Sequence, residues 1–420
     1  MFRTRVLVTL SFFVALVFDM QRVDQPRRSH GLPEVIQLEK NDEGNQLSDQ
    51  VISIFHFPEE RMVVVKLRGK RCPDPLLRGR LSGPQIALLS WTRTGSELRG
   101  YYAVRIPGTY NLEIIVLFCQ RFSRHMSKLE IMGACVEDVR FHRLTDVNST
   151  VAVTKVFRSS NSKFGEIVRN VTLPAKREPL LTRVQPPICD KYDCDIDSFT
   201  STDRFSGYEF LDTYPTAVAL DPEQRQRKIC FVGQSHSREI IVHLTNSGVF
   251  FGVAVQIEAK FPADLNTSVI EQVRVEACTD IVLGIGQWTA GWPGGVPFGF
   301  DEYEEEMFVS LTNFRVQLIE LYGTQRPHIF VRSVHENPLG NQISKCPPTD
   351  WRNPEVIRIY NEILEGVCSR VGLHFIDTNE IIQPLWDSAE DWCHYTGFVG
   401  KADALAIARV VYTHISRAKT

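Results

Sequence analysis

The stretch that decides the fold is Lys228-Ile-Cys-Phe-Val-Gly-Gln-Ser-His-Ser-Arg-Glu-Ile240. A short apolar run ends at Gly233, and helical spacing takes over from Ser237 to Leu244 before Asn246 and Gly248. A buried strand feeding directly into a helix is the repeating unit of parallel α/β sheets, which bind ligands beyond the carboxyl ends of their strands. Ser235 stands at that junction, where helix N–H groups and the positive end of the dipole can hold an oxyanion. The same position also suits a serine that only caps the helix. Spacing alone does not choose between the two.

Further strands are predicted at Asp280–Ile285, His328–Val334 and His374–Asp377. A helix follows from Pro354, which suits a first turn, to about Val371, and a last one spans Lys401 to about Arg417. Asp301 to Glu306 reads as a solvated acidic loop. The alternation predicts a mostly parallel sheet covered on both faces, over residues 189–420.

Residues 51–175 follow a different grammar. Short β-branched runs, Met62–Leu67, Ile86–Trp91, Tyr101–Ile106 and Leu112–Phe118, are separated by turn residues. The segment from Tyr101 to Val116 alternates and predicts a hairpin turning at Pro107-Gly108. These features point to an antiparallel β-sandwich, joined to the α/β part by a linker at 176–188 rich in proline and charge.

Ahead of it, Arg3 and Arg5 precede an apolar run from Val6 to Phe18. A membrane span needs about 20 apolar residues, so this length favours a signal peptide, with an uncleaved signal anchor as the alternative, over residues 1–20. Residues 21–50 read as a polar stalk. The 10 cysteines allow disulfides in an oxidising lumen, and N-x-S/T sequons stand at Asn148, Asn170 and Asn266. The expected location is the secretory pathway, either anchored in the Golgi lumen as a type II protein or secreted. A chain of 420 residues has room for two domains, and a net charge of -3 without a basic run gives no reason to expect nucleic acid.

A serine hydroxyl becomes a nucleophile when a carboxylate-oriented histidine takes its proton. Asp391-Trp-Cys-His394, just before the last helix, supplies that pair. Arg238 is a candidate for an anionic sugar or an acyl carbonyl, and Trp288 and Trp292 for stacking on a sugar ring. Cys189 and Cys194, with Asp195 and Asp197, suit a disulfide better than a metal, and their spacing is not that of a calcium loop. No metal or cofactor is expected.

These blocks carry a resemblance. The α/β part resembles the SGNH or GDSL-like hydrolases, and within them the PC-esterase group, on Gly233-Gln-Ser-His-Ser-Arg238, Gly286-Gln-Trp288 and Asp391-Trp-Cys-His394. Val331 to Pro338 and Cys346 to Trp351 fit the same group. Tyr102 to Ile114, with its Pro107-Gly108-Thr109-Tyr110 core, resembles the end of a filamin- or immunoglobulin-like repeat. That pairing is similar to the neurexophilin and PC-esterase domain proteins, which group with the trichome-birefringence-like O-acetyltransferases.

The resemblance implies acyl or acetyl transfer, or ester hydrolysis, at a glycan hydroxyl, with a glycoconjugate and an acyl donor as partners. It implies Ser235 as nucleophile, His394 as base and Asp391 as its orienter. The oxyanion falls to the Ser235 N–H after Gly233 and to the Gly286-Gln287-Trp288 block. The family's acid after the first glycine is Gln234 here, which carries no charge. A catalytically silent glycan-binding or adhesion glycoprotein is therefore the alternative.

Overall fold

The computed structural model describes residues 34–36, 51–67, 74–118, 121–133, 142–145, 149–154, 156, 166–169, 189–190, 193–194, 208–211, 227–246, 252–291, 295–323, 326–338, 350–386, 393–395 and 397–418. The leader, the linker, Asn148, Asn170, Trp292 and Asp391 lie outside them.

An 11-stranded antiparallel region comes first. Its strands are β1 (Glu34–Ile36), β2 (Val51–Phe57), β3 (Met62–Leu67), β4 (Leu76–Ser82), β5 (Gln85–Thr94), β6 (Glu97–Tyr102), β7 (Gly108–Phe118), β8 (His142–Arg143), β9 (Thr150–Val153) and β10 (Glu166–Arg169). A two-residue pair, β11 (Cys189–Asp190) and β12 (Asp193–Cys194), places Cys189 opposite Cys194. β13 (Tyr208–Leu211) then returns to pair with β10. The antiparallel region thus recruits chain from beyond the linker, and at the other end β1, from the stalk range, pairs with β2.

β5 is shared between two halves. Leu89 to Thr94 pair with β6, and Ile86 to Leu88 pair with β4. The halves close on one apolar core that includes Ile54, Val63, Leu81, Leu98, Tyr110 and Ile114. The expected hairpin at Pro107-Gly108 is not formed. β6 pairs with β3 and β5, whereas β7 pairs with β4, β8 and β9. The alternation on each side of the turn is real, but the chain uses Ala103 to Pro107 to cross between the halves. The hairpin forms instead at Gly95, between β5 and β6.

The second region is a five-stranded, all-parallel sheet in the order β15-β14-β16-β17-β18. The strands are β14 (Lys228–Gly233), β15 (Val253–Glu258), β16 (Asp280–Gly284), β17 (His328–Arg332) and β18 (His374–Ile376). The helices are α1 (Lys128–Gly133), α2 (Ser235–Asn246), α3 (Thr267–Val275), α4 (Phe300–Tyr322), α5 (Pro354–Val371), α6 (Asn379–Ile382) and α7 (Gly397–Ala418). Strand side chains alternate between the faces. Cys230, Val232, Ile281 and Val331 pack against α3, α4 and α5, while Ile229, Phe231, Val282 and Phe330 pack against α2 and α7. The Cys230–Cys278 disulfide ties β14 to the chain following α3.

Asp301 to Glu306 are not a loop. They open α4, with Gly299 as cap and Asp301 and Glu302 in the first turn, where acids suit the helix dipole. Phe300, Tyr303, Met307, Leu311, Phe314 and Leu318 recur at helical spacing on its buried face.

The two regions are joined by buried contacts. After β7 the chain lends Phe122 and Ile131 to the core under α4 and α5. Arg78 binds Glu336 in a bidentate pair, with Nη2 to Oε2 at 2.8 Å. Arg80 meets Glu113, donates to the Pro384 carbonyl at 2.9 Å and lies 4.2 Å from the Trp386 ring.

Candidate functional site

β14 delivers Ser235 to the carboxyl edge of the sheet. A side chain at Gly233 would bring Cβ within 2.2 Å of Ser237 Oγ and 2.9 Å of the Gly284 carbonyl, so glycine is what lets α2 start hard against the strand ends. The Gln234 carbonyl accepts from the N–H groups of Ser237 and Arg238, at 2.9 and 3.1 Å. Gln234 therefore occupies the capping position, and Ser235 is the first residue inside α2. The reading of Ser235 as a plain cap is thereby set aside. The Gln234 side chain turns to β15, donating from Nε2 to Glu258 Oε2 at 2.7 Å. Ser235 is half-buried and Arg238 is exposed.

Behind the serine lies a histidine cluster. The His236 ring is 4.9 Å from that of His394 and 5.8 Å, edge-on, from that of His335. Its Nε2 is 3.5 Å from Cys393 Sγ, which in turn takes Arg352 Nη1 at 3.4 Å. His335 follows β17, and Gln287 clamps its backbone, donating to its carbonyl at 2.7 Å and accepting from its N–H at 3.0 Å. The His335 Nε2 faces Thr378 Oγ1 at 3.1 Å and Asp403 Oδ1 at 3.6 Å. A cavity of about 10 Å³, room for about one water, is lined by residues including His236, His243, His335, His394 and Asp403.

Burial, then the neighbouring His394, keeps His236 well below the usual imidazole range. Burial and the Arg332 charge do the same to His335. Both rings are neutral near pH 7, each with a lone pair to offer. Burial lifts the Asp403 carboxyl, against the opposing pull of Arg332, whose Nη1 is 3.9 Å away.

The expected residues do not all meet. Ser235 and His394 come to one end of the sheet through His236, but no hydrogen bond joins them among the described residues, and Ser235 does not line the cavity. Gly286, at φ 100°, has room for no side chain, since a Cβ would lie 2.8 Å from Tyr303 Oη. The Gln287 amide is committed to His335. Trp288 is half-buried with Lys260 Nζ 5.3 Å from its ring. Asn266 is exposed, and its side chain caps α3 through the Ser268 N–H.

The sequence alone gives His335, Asp403 and Cys393 no individual role. The pattern Ser333-Val-His-Glu-Asn337 just after a strand was the available signal for His335, while Asp403 looks like any polar residue of a helix.

No family model matches this sequence, and no curated protein matches it. Solved structures do. A lipase/acylhydrolase from Enterococcus faecalis is 12% identical over 45% of this chain and 97% of its own, with a TM-score of 0.31. A GDSL-like lipase from Bacteroides thetaiotaomicron is 15% identical over 48% of this chain and 93% of its own, with a TM-score of 0.33. An acetylxylan esterase from Geobacillus stearothermophilus, crystallised as a catalytic mutant, is 15% identical over 44% of this chain and 93% of its own, with a TM-score of 0.32.

Proposed function

We propose that the parallel-sheet region is a serine-nucleophile esterase or acyltransferase of the SGNH, GDSL-like kind and of its PC-esterase group. Its substrate is an O-acyl, most simply O-acetyl, ester on a glycan hydroxyl. The observation that carries the reading is Ser235 as first helical residue at the carboxyl edge of the sheet, next to His236, whose ring contacts His394 at 4.9 Å. In this reading Ser235 Oγ attacks the acyl carbonyl, His394 takes the hydroxyl proton, and Asp391 orients His394. The oxyanion is held by the Ser235 N–H at the start of α2 and by a main-chain N–H of the Gly286–Trp288 block, because the Gln287 amide is already engaged. The proton then passes to the departing sugar oxygen, and water or an acceptor hydroxyl removes the acyl group from Ser235. The Ser235–His394 hydrogen bond forms on substrate binding, as catalytic bonds often tighten only then. Arg238, exposed on the first turns of α2, and Trp288 belong to the substrate side.

The same proposal reads the antiparallel region as a sandwich of the filamin or immunoglobulin kind. Buried Tyr110 supports it by donating its hydroxyl to the Ile106 carbonyl at 2.6 Å, the tie of a tyrosine corner. It also places the protein in the secretory pathway, with Asn148, Asn170 and Asn266 glycosylated; the Cys230–Cys278 bond suits an oxidising lumen.

One observation favours a second reading, a silent glycan-binding protein. Gln234 replaces an acid and is bonded to Glu258 rather than to the site. Labelling with a fluorophosphonate separates the two. The expected result is labelling of the full chain that disappears in Ser235→Ala and falls at least ~10³-fold in rate in His394→Ala. A folded full-length chain that takes no label but still binds glycan decides for the silent module.

A further inference from the structure

His236, Cys393 and His394 each offer one ligating atom, and these atoms lie within 4.8 Å of one another. A tetrahedral zinc ion holds sulfur at ~2.3 Å and imidazole nitrogen at ~2.0–2.1 Å, which sets sulfur and nitrogen ~3.5 Å apart. Cys393 Sγ and His236 Nε2 stand 3.5 Å apart. The remaining separations, all within 4.8 Å, close by at most about 1.4 Å of side-chain rotation to reach that geometry. Cys393 also keeps its thiol in a chain that forms a disulfide elsewhere, between Cys230 and Cys278. The adjoining cavity, walled by His236 and His394, has room for about one water, the fourth ligand of an open zinc site.

We propose that His236, Cys393 and His394 bind one zinc-class divalent ion, with the cavity water as fourth ligand, and that occupancy switches Ser235 off. One sulfur and two imidazole nitrogens select a borderline-soft ion over calcium or magnesium. Binding releases the Cys393 proton to solvent and changes no oxidation state. The ion occupies the His394 lone pair that would otherwise accept the Ser235 proton, so metal and catalysis exclude each other. The binding half stands on the geometry alone, and the switching half rests on the proposed function.

The experiment uses the full chain, stripped with a chelator and titrated with cobalt(II). One equivalent produces a thiolate-to-cobalt charge-transfer band, and zinc displaces it. Cys393→Ser removes the band, and both it and His236→Gln weaken binding by at least ~10–100-fold, while Ser235→Ala keeps band and affinity. Circular dichroism confirms that each variant is folded. Absence of a thiolate band at one equivalent, or a band that survives in Cys393→Ser, overturns the site. In the second arm, one equivalent of zinc lowers ester hydrolysis at least tenfold, a chelator restores it, and Cys393→Ser is no longer zinc-sensitive relative to its own metal-free rate. Hydrolysis unaffected by saturating zinc overturns the switch. A chain that shows the band but never hydrolyses ester retires the proposed function and leaves the metal site standing.

Discussion

The antiparallel and parallel regions both bury charge, but they complete it differently. Where β4 meets the parallel region, fully enclosed Arg80 is met by Glu113, the Pro384 carbonyl and the face of Trp386, and Arg78 by Glu336. At the carboxyl end of the parallel sheet, Asp403 Oδ1, Arg332 Nη1 and His243 Nε2 are buried with no hydrogen-bond partner among the described residues. Buried polar atoms are almost always satisfied, so an unsatisfied group needs a reason. The matched charges fix how the two regions sit on each other. Asp403 and His243 line the one-water cavity beside His236, and Arg332 Nη1 stands 3.9 Å from the Asp403 carboxylate.

The largest effect should come from breaking the matched side. Glu336→Ala leaves Arg78 buried and unpaired, and denaturant unfolding should show a loss of about 3–5 kcal/mol. The double variant Arg78→Met with Glu336→Leu should recover most of it. If the single and double variants lose equally, the pair is not what joins the regions.

The unmatched side should show itself in the pH dependence of stability. His335 sits well below its usual range in the fold, so the unfolded chain takes up a proton near pH ~6.5 that the folded protein refuses. Stability is therefore full above that pH and is lost below it, by up to about 1.4 kcal/mol per pH unit. Asp403, held above its usual range, works in the opposite sense above about pH 4. Unfolding midpoints at pH ~7.5 and ~5.5 should differ less in His335→Gln than in the parent chain. Equal slopes in the two would place His335 in contact with water.

The smallest effect should be at the rim. Gln234→Asp trades a hydrogen bond to Glu258 for two like charges on exposed side chains, and a melting curve should register less than about 1 kcal/mol. A larger loss would make Gln234 part of the matched charge network rather than its edge.

The parallel region was legible where a strand or helix carries its own period. The apolar run into Gly233, the Pro354 helix and the last helix all appear near their expected places. α4 was not, because the acids of its first turn obscured the spacing of Phe300, Tyr303 and Met307. The false hairpin at Pro107 arose because alternation reports that two segments are strands, not which strands they pair with. The strand-to-helix junction at Ser235 was legible, because its neighbours are local in sequence. The clamp of Gln287 on His335 and the pairing of Arg78 with Glu336 were not, since nothing periodic links residues so far apart.

The separation between Arg78 and Glu336, 258 residues, is also an interval of time. A ribosome adding roughly 5–20 residues per second leaves Arg78 waiting ~13–50 s for its partner to emerge. Throughout that interval the antiparallel region has strands but lacks Trp386, the Pro384 carbonyl and Glu336, the groups that cover its arginines. During synthesis, then, the first half of the chain is an unfinished surface with two cations and a bare apolar edge. A chaperone is suited to hold that state until the last third of the protein arrives.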